Sequence, residues 1–329
     1  NTNMLSGPED YCNLDVKSFD NHKDEVNSVA FSNDFEMMVT ACDDCRVRVF
    51  NSRSGDMVVK LKAHTGAVRC IAVSPNSRYI VSGSYDNTAI IWQTRDASLL
   101  HMLKGHTKSV EAVAFSSDSL QVCTASWDRS AILWDIQNGH SIKIFTGHSN
   151  VIQGLALSYD SKWLATGSWD HTVRLWTLNS ADRIEKVHCL EGHTGNVNAV
   201  AFSKMGMLAS GSYDKSIRLW NPRNLKVLHL LTGHEGWIKA VSFSTDSSYV
   251  ASASDDETVK VWCCLKGVLL KTLESRSEVI HQCGFTPGGA LVASGAANVT
   301  LALVDTKFLE TSAENDGTSE IYENEDETL

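Results

Sequence analysis

Residues 105–135 read GHTKSVEAVAFSSDSLQVCTASWDRSAILWD, and this stretch decides the fold because its pattern recurs along the whole chain. The run Val110–Phe115 has the period of two that is typical of a half-buried strand. A second apolar run ends at Ser126, a tight turn around Asp128 follows, and a third run closes on Trp134. We therefore expect each copy of the pattern to supply one four-stranded antiparallel sheet.

The repeat is followed most easily through the His that opens each copy. Successive histidines are 42, 42, 42, 45 and 41 residues apart, and Arg276 stands at the seventh equivalent position. The distance from this His to the Trp of the third run is 28 residues in four copies and 27 in a fifth. Such constancy excludes a chance pattern, and seven units fill the chain.

Gly105-His106 and Leu133-Trp134-Asp135, with their counterparts in the other units, resemble the signature of the WD-repeat family. The resemblance covers about residues 14–307. It implies an all-β fold, a single seven-bladed β-propeller with four-stranded blades around a central channel. Residues 1–13 would form an N-terminal segment, and the acidic residues 308–329 are expected to be a disordered tail.

The seventh unit is one strand short. Its third run ends near Leu303-Val304-Asp305, whereas Leu14–Phe19 precedes the first unit with nothing of its own to pair with. Because an open ring would leave unpaired strand edges, we expect this N-terminal strand to complete the last blade.

In the family, a His, a Ser or Thr, the turn Asp and the third-strand Trp form a buried hydrogen-bonded tetrad. The resemblance implies five such tetrads, in blades two to six. They are His64, Ser82, Asp86 and Trp92; His106, Thr124, Asp128 and Trp134; His148, Thr166, Asp170 and Trp176; His193, Ser210, Asp214 and Trp220; and His234, Ser252, Asp256 and Trp262. Blade one departs by having Phe50 in place of Trp, and blade seven keeps only Ser294.

Ser, His and Asp also make a catalytic triad, so the tetrads raise an enzymatic alternative. Five copies spread around a ring, each tied to a Trp, are better explained as satisfied buried polar groups. The common phosphate, dinucleotide, zinc and hydrolase motifs are absent from the sequence. Cys42-Asp43-Asp44-Cys45 occupies ordinary repeat positions with no second Cys pair nearby. We expect no enzyme activity, no cofactor and no metal.

The positions that the repeat leaves free point to a binding surface. The residue before each turn Asp should face outward on the upper face, defined as the face that carries the turns between second and third strands. Four consecutive blades present an aromatic residue there, and we call these residues, with Trp237 beside them, the aromatic arc: Tyr85, Trp127, Trp169, Tyr213 and Trp237. Contiguous exposed apolar residues tend to mark interaction sites.

Charged residues are expected at the edge of the aromatic arc. The carboxylates are Glu25, Asp43, Glu111 and Asp255. The cation is Arg69, which stands five residues after the repeat His, at the start of the first strand of its unit. This composition suits an Arg- or Lys-bearing peptide segment, stacked on aromatic rings and paired with carboxylates. The alternative is that some of the rings lie flat and pack between blades.

Charge and composition limit the partners and the location. The formal net charge is −10, but eight acidic residues and no Lys or Arg follow from Glu310 onward, so the body is nearly neutral and nucleic acid is not an expected partner. No apolar run approaches the ~18 residues of a membrane span. Nine scattered cysteines suit a reducing compartment, so we expect the cytoplasm or nucleus.

The function expected from these features is a non-enzymatic protein–protein interaction scaffold within a multiprotein complex, with the axoneme of a cilium as one candidate assembly. The alternative is a substrate receptor or adaptor subunit of a ubiquitin ligase or another multiprotein enzyme complex.

Overall fold

The computed structural model describes residues 16–19, 21–178, 186–274, 280–285, 291–295 and 298–302. All regular secondary structure in these ranges is β-strand, which confirms the all-β prediction for the described part of the chain. Within the same residues, no helix is long and apolar enough to cross a membrane.

Six sheets each contain four consecutive antiparallel strands. The first three sheets are β2 (Val26–Phe31), β3 (Met37–Cys42), β4 (Arg46–Asn51) and β5 (Met57–Lys62); β6 (Val68–Val73), β7 (Tyr79–Ser84), β8 (Thr88–Gln93) and β9 (Leu99–Lys104); and β10 (Val110–Phe115), β11 (Gln121–Ser126), β12 (Ser130–Asp135) and β13 (Ser141–Thr146). The next three are β14 (Ile152–Leu157), β15 (Trp163–Ser168), β16 (Val173–Thr177) and β17 (Val187–Leu190); β18 (Val197–Phe202), β19 (Leu208–Ser212), β20 (Ile217–Asn221) and β21 (Lys226–Leu231); and β22 (Ile238–Phe243), β23 (Tyr249–Ser254), β24 (Thr258–Cys263) and β25 (Val268–Glu274).

The seventh sheet combines strands from both ends of the chain. It contains β26 (Ile280–Phe285), β27 (Leu291–Gly295), β28 (Asn298–Ala302) and then β1 (Val16–Phe19). β1 runs antiparallel to β28, with Val16 opposite Ala302 and Phe19 opposite Val299. The fully buried ring of Phe19 meets Phe50 of β4 edge to face, with 5.5 Å between the ring centres.

The hydrophobic core lies between neighbouring sheets. In one cluster, Val81 and Ile91 of the second sheet pack with Ile132 and Trp134 of the third. The first strands of successive sheets contact each other in the order β2, β6, β10, β14, β18, β22 and β26, and β26 also contacts β2.

Every first strand carries a β-bulge at the same position, five residues after the repeat His or its equivalent. The bulged residues are Asn27, Arg69, Glu111, Gln153, Asn198, Lys239 and His281. A bulge adds one residue that has no partner on the next strand and re-aims its side chain. The side chains of the first six therefore converge on one central cavity, which they help to line.

Candidate protein-binding face

The tetrads fasten the turns of the upper face to the sheets behind them. In the third sheet, His106 Nδ1 lies 2.8 Å from Asp128 Oδ2, and His106 Nε2 lies 2.7 Å from Thr124 Oγ1. Trp134 Nε1 donates to the same hydroxyl at 2.9 Å. The other four tetrads repeat these three contacts at distances between 2.7 and 3.0 Å.

Protonation in each tetrad follows from its donors. A carboxylate only accepts, so the His donates from Nδ1, and its Nε2 accepts from the hydroxyl that already accepts from Trp. This arrangement stabilises the ionised form of the carboxylate. Burial raises the pKa of Asp256, but hydrogen bonds from Thr258 and His234 outweigh burial and lower the pKa to about 2. Burial lowers the pKa of His234 below its ordinary value, more than Asp256 raises it, which favours the neutral ring.

The tetrad hydroxyls are buried and held in hydrogen bonds within the sheets. Thr124 is 0% exposed and holds its oxygen against both His106 and Trp134. In the remaining tetrads, hydrogen bonds from the His and from a neighbouring Ser or Thr outweigh burial and hold the carboxyl pKa well below its usual range; the carboxyls are Asp86, Asp128, Asp170 and Asp214. The tetrads stabilise the turns, and they do not present a nucleophile.

The first sheet replaces the tetrad with an ion pair that sequence analysis missed. His22 Nε2 lies 2.8 Å from Thr40 Oγ1, but Asp44 is held by Arg48, which donates to both carboxylate oxygens, one of them at 3.0 Å. The side chain of Arg48 is 0% exposed. The available signal was Phe50 in place of the Trp. The cation two residues earlier is shared by the fourth, fifth and sixth units, which have Arg174, Arg218 and Lys260 there, so it does not mark the first sheet by itself. Arg276 and Val304 of the seventh unit lie outside the described residues.

Backbone hydrogen bonds bring the two predicted sets of free positions side by side. The N–H of Trp127 donates to the carbonyl oxygen of Ser109 at 3.0 Å, so the residue before the turn Asp lies beside the residue three after the His. The same bond joins Tyr85 to Ala67, Trp169 to Val151, Tyr213 to Asn196, Asp43 to Glu25 and Asp255 to Trp237.

The aromatic arc is organised as two groups of rings. Trp127 lies between Tyr85 and Trp169, with ring centres 6.5 and 6.4 Å away. Tyr213 and Trp237 stack face to face, with centres 4.2 Å apart and planes 9° apart.

Exposure within the arc is uneven. Tyr85 is 61% exposed and Trp237 45%, whereas Trp127, Trp169 and Tyr213 are half-buried. Trp127 Nε1 donates to Gln153 at 3.1 Å, and Trp169 Nε1 donates to Asn198. Each indole therefore leans on the bulged residue of the next sheet, so the alternative of packing between blades holds in part for these two rings.

Glu111 corrects the expectation of an open carboxylate at the edge of the arc. It is only 6% exposed and accepts hydrogen bonds from Ser109 at 2.7 Å and from Gln153 at 3.0 Å. Arg69 Nε lies 3.4 Å from its second oxygen. The bulge that carries Glu111 turns it inward, toward the cavity, and buried carboxylates need such partners.

The chain's own cations occupy positions expected for a partner's Arg or Lys. Lys239 Nζ lies 3.7 Å from Asp255 and 5.2 Å from the centre of the Tyr213 ring. Arg69 lies between Glu111 and Asp43, with 3.9 Å to the latter. Lys239 belongs to the same free positions as Arg69, but the sequence pattern does not reveal that it turns onto the arc.

The upper face opens into the central cavity, which has a volume of about 470 Å³. Trp127, Trp169 and Tyr213 line its mouth together with the bulged residues. This volume is typical of sites that take a small ligand or a few side chains of a peptide. Glu25, another carboxylate expected at the edge of the arc, is half-buried. Its carbonyl oxygen accepts the backbone hydrogen bond from the N–H of Asp43.

The Cys42–Cys45 pair lies at the turn between β3 and β4. Cys42 is buried, burial raises its pKa to about 11, and its thiol contacts the carbonyl oxygen of Asp24. Cys45 is the turn residue with a positive φ of 67°. Among the described residues, no group of three or more His, Cys, Asp or Glu side chains could hold a metal ion.

The family is established by a sequence model described as "WD domain, G-beta repeat". It matches residues 14–51, 55–93, 97–135, 139–177, 184–221 and 225–263, which together make up well over half of the chain. The chain therefore belongs to the WD-repeat family, whose β-propellers mediate protein–protein interactions.

Individual relatives match only a short stretch. The "Nuclear distribution protein nudF" of Aspergillus flavus is 38% identical over 52 residues, which is 16% of this chain and 11% of that protein. "Nuclear distribution protein nudF 2" of Aspergillus clavatus is 35% identical over 52 residues, 16% of this chain and 12% of that protein. The chain thus spans about a tenth of the length of these relatives.

Proposed function

We propose that this protein is a non-enzymatic scaffold that binds a peptide or loop of a partner protein on its upper face, within a larger assembly. The observation that carries the proposal is the aromatic arc, in which Tyr85 and Trp237 stay largely exposed although they flank half-buried rings. Large rings at the mouth of a cavity are the usual anchors of protein interfaces, because they bury much area at a small cost in side-chain entropy.

The face is also rigid, which favours tight binding. Each turn that carries Tyr85, Trp127, Trp169 or Tyr213 is held by a tetrad and by a backbone hydrogen bond to the start of the first strand of the same sheet. A surface that is ordered before binding loses little conformational entropy when a partner docks.

The ligand proposed is a segment with an Arg or Lys side chain. It would compete with Lys239 for the stacked pair Tyr213 and Trp237 and for Asp255. A cation over these rings gains a cation–π interaction, and Asp255 neutralises its charge. When the partner's cation takes the place of Lys239, the Lys239 ammonium group moves into solvent. The free-energy cost of displacing it is therefore modest.

The proposal includes a closed ring of seven blades over residues 14–307, with β1 as the outer strand of the last blade. Support comes from the register of β1 on β28 and from the contact of β26 with β2. Closure leaves no unpaired strand edge at the seam, which suits a scaffold that must keep a fixed shape.

Localisation in the cytoplasm or nucleus remains part of the proposal, with the axoneme as a candidate assembly. We also propose a relationship to WD repeat-containing protein 38, on the similarity of residues 164–170 and 208–214 to the repeats of that protein. The alternative role, as a receptor or adaptor subunit of a ubiquitin ligase or another enzyme complex, predicts ligase or enzyme subunits among the bound proteins.

The test is quantitative affinity purification of the wild type beside a Trp127→Ala/Trp169→Ala variant, after both are shown to fold. The matched control is Leu120→Ser/Leu265→Ser, which removes two strongly exposed apolar side chains outside the arc. The proposal expects at least one partner to be lost only with the tryptophans. Equal partner lists for all three proteins would contradict it.

A further inference from the structure

A second surface lies on the lower face, opposite the aromatic arc, between the fourth and fifth sheets. We call it the lower groove; its walls are Tyr159, Met205 and Leu228, and its floor is Trp163, Met207 and Trp220. The volume of the groove is about 550 Å³.

The walls of the lower groove are apolar and open to solvent. Met205 is 83% exposed, Tyr159 61% and Leu228 43%, and they come from two neighbouring sheets. Three such side chains around one depression make a contiguous apolar patch, which is typical of an interaction site.

The rim of the lower groove carries unpaired positive charge. Lys204 and Arg223 are exposed, and neither forms an ion pair with another residue in the described part of the chain. Lys204 Nζ stands 6.0 Å from the centre of the Tyr159 ring. Asp160, the carboxylate of the lining, already accepts bonds from Ser158 and from the N–H of Lys162. The groove thus fits an apolar anchor with acidic neighbours.

The chain itself contains such a segment. Residues 319–327 read SEIYENEDE, in which Ile321 and Tyr322 are the only adjacent apolar residues after Glu310 and five acidic side chains surround them. These residues lie outside the described ranges.

The end of β28 makes the lower groove accessible to this segment. Third strands begin at the upper face and end at the lower face, so the chain leaves Ala302 on the side of the groove. The 18 residues 303–320 span up to roughly 60 Å when extended. A compact protein of 329 residues has a radius of gyration of roughly 20 Å. The extended segment is therefore long enough to reach the groove.

We infer that residues 320–327 of the chain bind in the lower groove. Ile321 and Tyr322 pack against Met205, Tyr159 and Leu228, and the acidic residues pair with Lys204 and Arg223. Because the segment is tethered, its effective concentration at the groove is in the millimolar range, so even weak intrinsic affinity keeps the groove occupied. External partners then reach this face only by displacing the segment.

The test uses a fluorescein-labelled peptide of residues 316–329 and the full chain carrying Ile321→Ser/Tyr322→Ser, which vacates the groove. Fluorescence anisotropy should show that the peptide binds this variant, and binds the wild type at least tenfold more weakly because the tethered segment competes. Adding Met205→Asp, or Lys204→Glu/Arg223→Glu, should weaken peptide binding to the variant at least tenfold.

The matched control is Leu265→Asp, because Leu265 is 84% exposed, close to the 83% of Met205, but lies in the sixth sheet, between β24 and β25. It should leave peptide binding unchanged, and thermal unfolding checks that each variant folds. No binding to the variant at millimolar concentration would overturn the inference. So would equal binding to variant and wild type, or binding that is insensitive to Met205→Asp.

Discussion

The ammonium group of Lys239 lies 5.2 Å from the centre of the Tyr213 ring, so the chain supplies its own cation to the aromatic arc. Lys239 reaches this position because the β-bulge of β22 turns it inward, and Asp255 pairs with it at 3.7 Å. The site is therefore occupied from within, and an incoming Arg or Lys must compete.

Replacing Lys239 by Met should strengthen the binding of an Arg- or Lys-bearing partner about fivefold, because the competing cation, worth about 1 kcal/mol over the rings, is removed. Titration calorimetry with the partner segment identified by affinity purification measures this change, and Lys266→Met, at an exposed position away from the arc, is the control. A weaker complex would mean that Lys239 contacts the partner directly.

Thr124→Val should destabilise the fold by about 2 kcal/mol, because it leaves the buried donor of Trp134 and the acceptor nitrogen of His106 without a partner. Urea unfolding measures the loss. Thr146→Val, at an exposed position of β13, is the matched control and should change the free energy of unfolding little. Equal effects of the two substitutions would contradict the structural role of the tetrad.

Arg48→Met should cost about 3 kcal/mol in the free energy of unfolding, because it strands the carboxylate of Asp44, which is only 12% exposed. The double variant Arg48→Met/Asp44→Asn should regain much of this loss, since no unpaired charge remains. Urea unfolding of the two variants beside the wild type decides the point. If the single and double variants are equally unstable, the ion pair is not what holds this turn.

The free energy of unfolding should fall in acid because the tetrad carboxylates become protonated. The pKa of Asp256 is lowered to about 2 in the folded chain from an ordinary 3.8, so the stability contributed by its ionised form is present above pH 4 and is lost as the pH falls through 2. Asp256→Asn should therefore be less stable than wild type at pH 6, with the difference shrinking toward pH 2. Urea unfolding across this range tests it, and exposed Asp56→Asn is the control; a constant difference would be contrary to the account.

Phe19→Ala tests whether β1 contributes to the seam. Phe19 is 0% exposed and meets Phe50 of the first sheet, so the substitution should cost about 3 kcal/mol and lower the melting temperature. Deleting residues 1–20 should lower cooperative thermal stability sharply. Calorimetry measures both effects, and an unchanged melting curve after the deletion would refute the closing role of β1.

Much of the fold could be predicted because the repeat encodes it locally. The number of residues between the repeat His and the third-strand Trp, as between His106 and Trp134, is nearly constant. This spacing predicts three strands and two turns in each unit and places the other tetrads. The positions of Tyr85, Trp127 and Tyr213 follow from their place before the turn Asp. These features depend on strand period and turn chemistry, which are visible in one unit.

The contacts of Glu111, Arg69 and Lys239 could not be predicted in this way. They depend on how a bulge turns each side chain toward neighbours in the same and in adjacent sheets. Those partners lie up to 42 residues away in the sequence, as for Arg69 and Glu111, where no local pattern reveals them. Arg48 was missed because a cation in a third strand looks solvent-exposed until its partner is seen. The lower groove was missed because Tyr159 and Met205 lie in loops that carry no periodic signal.

The central claim, that a partner binds over the aromatic arc, is tested most directly by hydrogen–deuterium exchange of the full chain alone and in complex with its purified partner. The account predicts slower exchange on binding in the upper-face turns of residues 85–87, 127–129, 169–171 and 213–215, with little change in the outer strands β5, β9 and β13. Protection confined to the outer strands or to the lower face, with those turns unchanged, would contradict it.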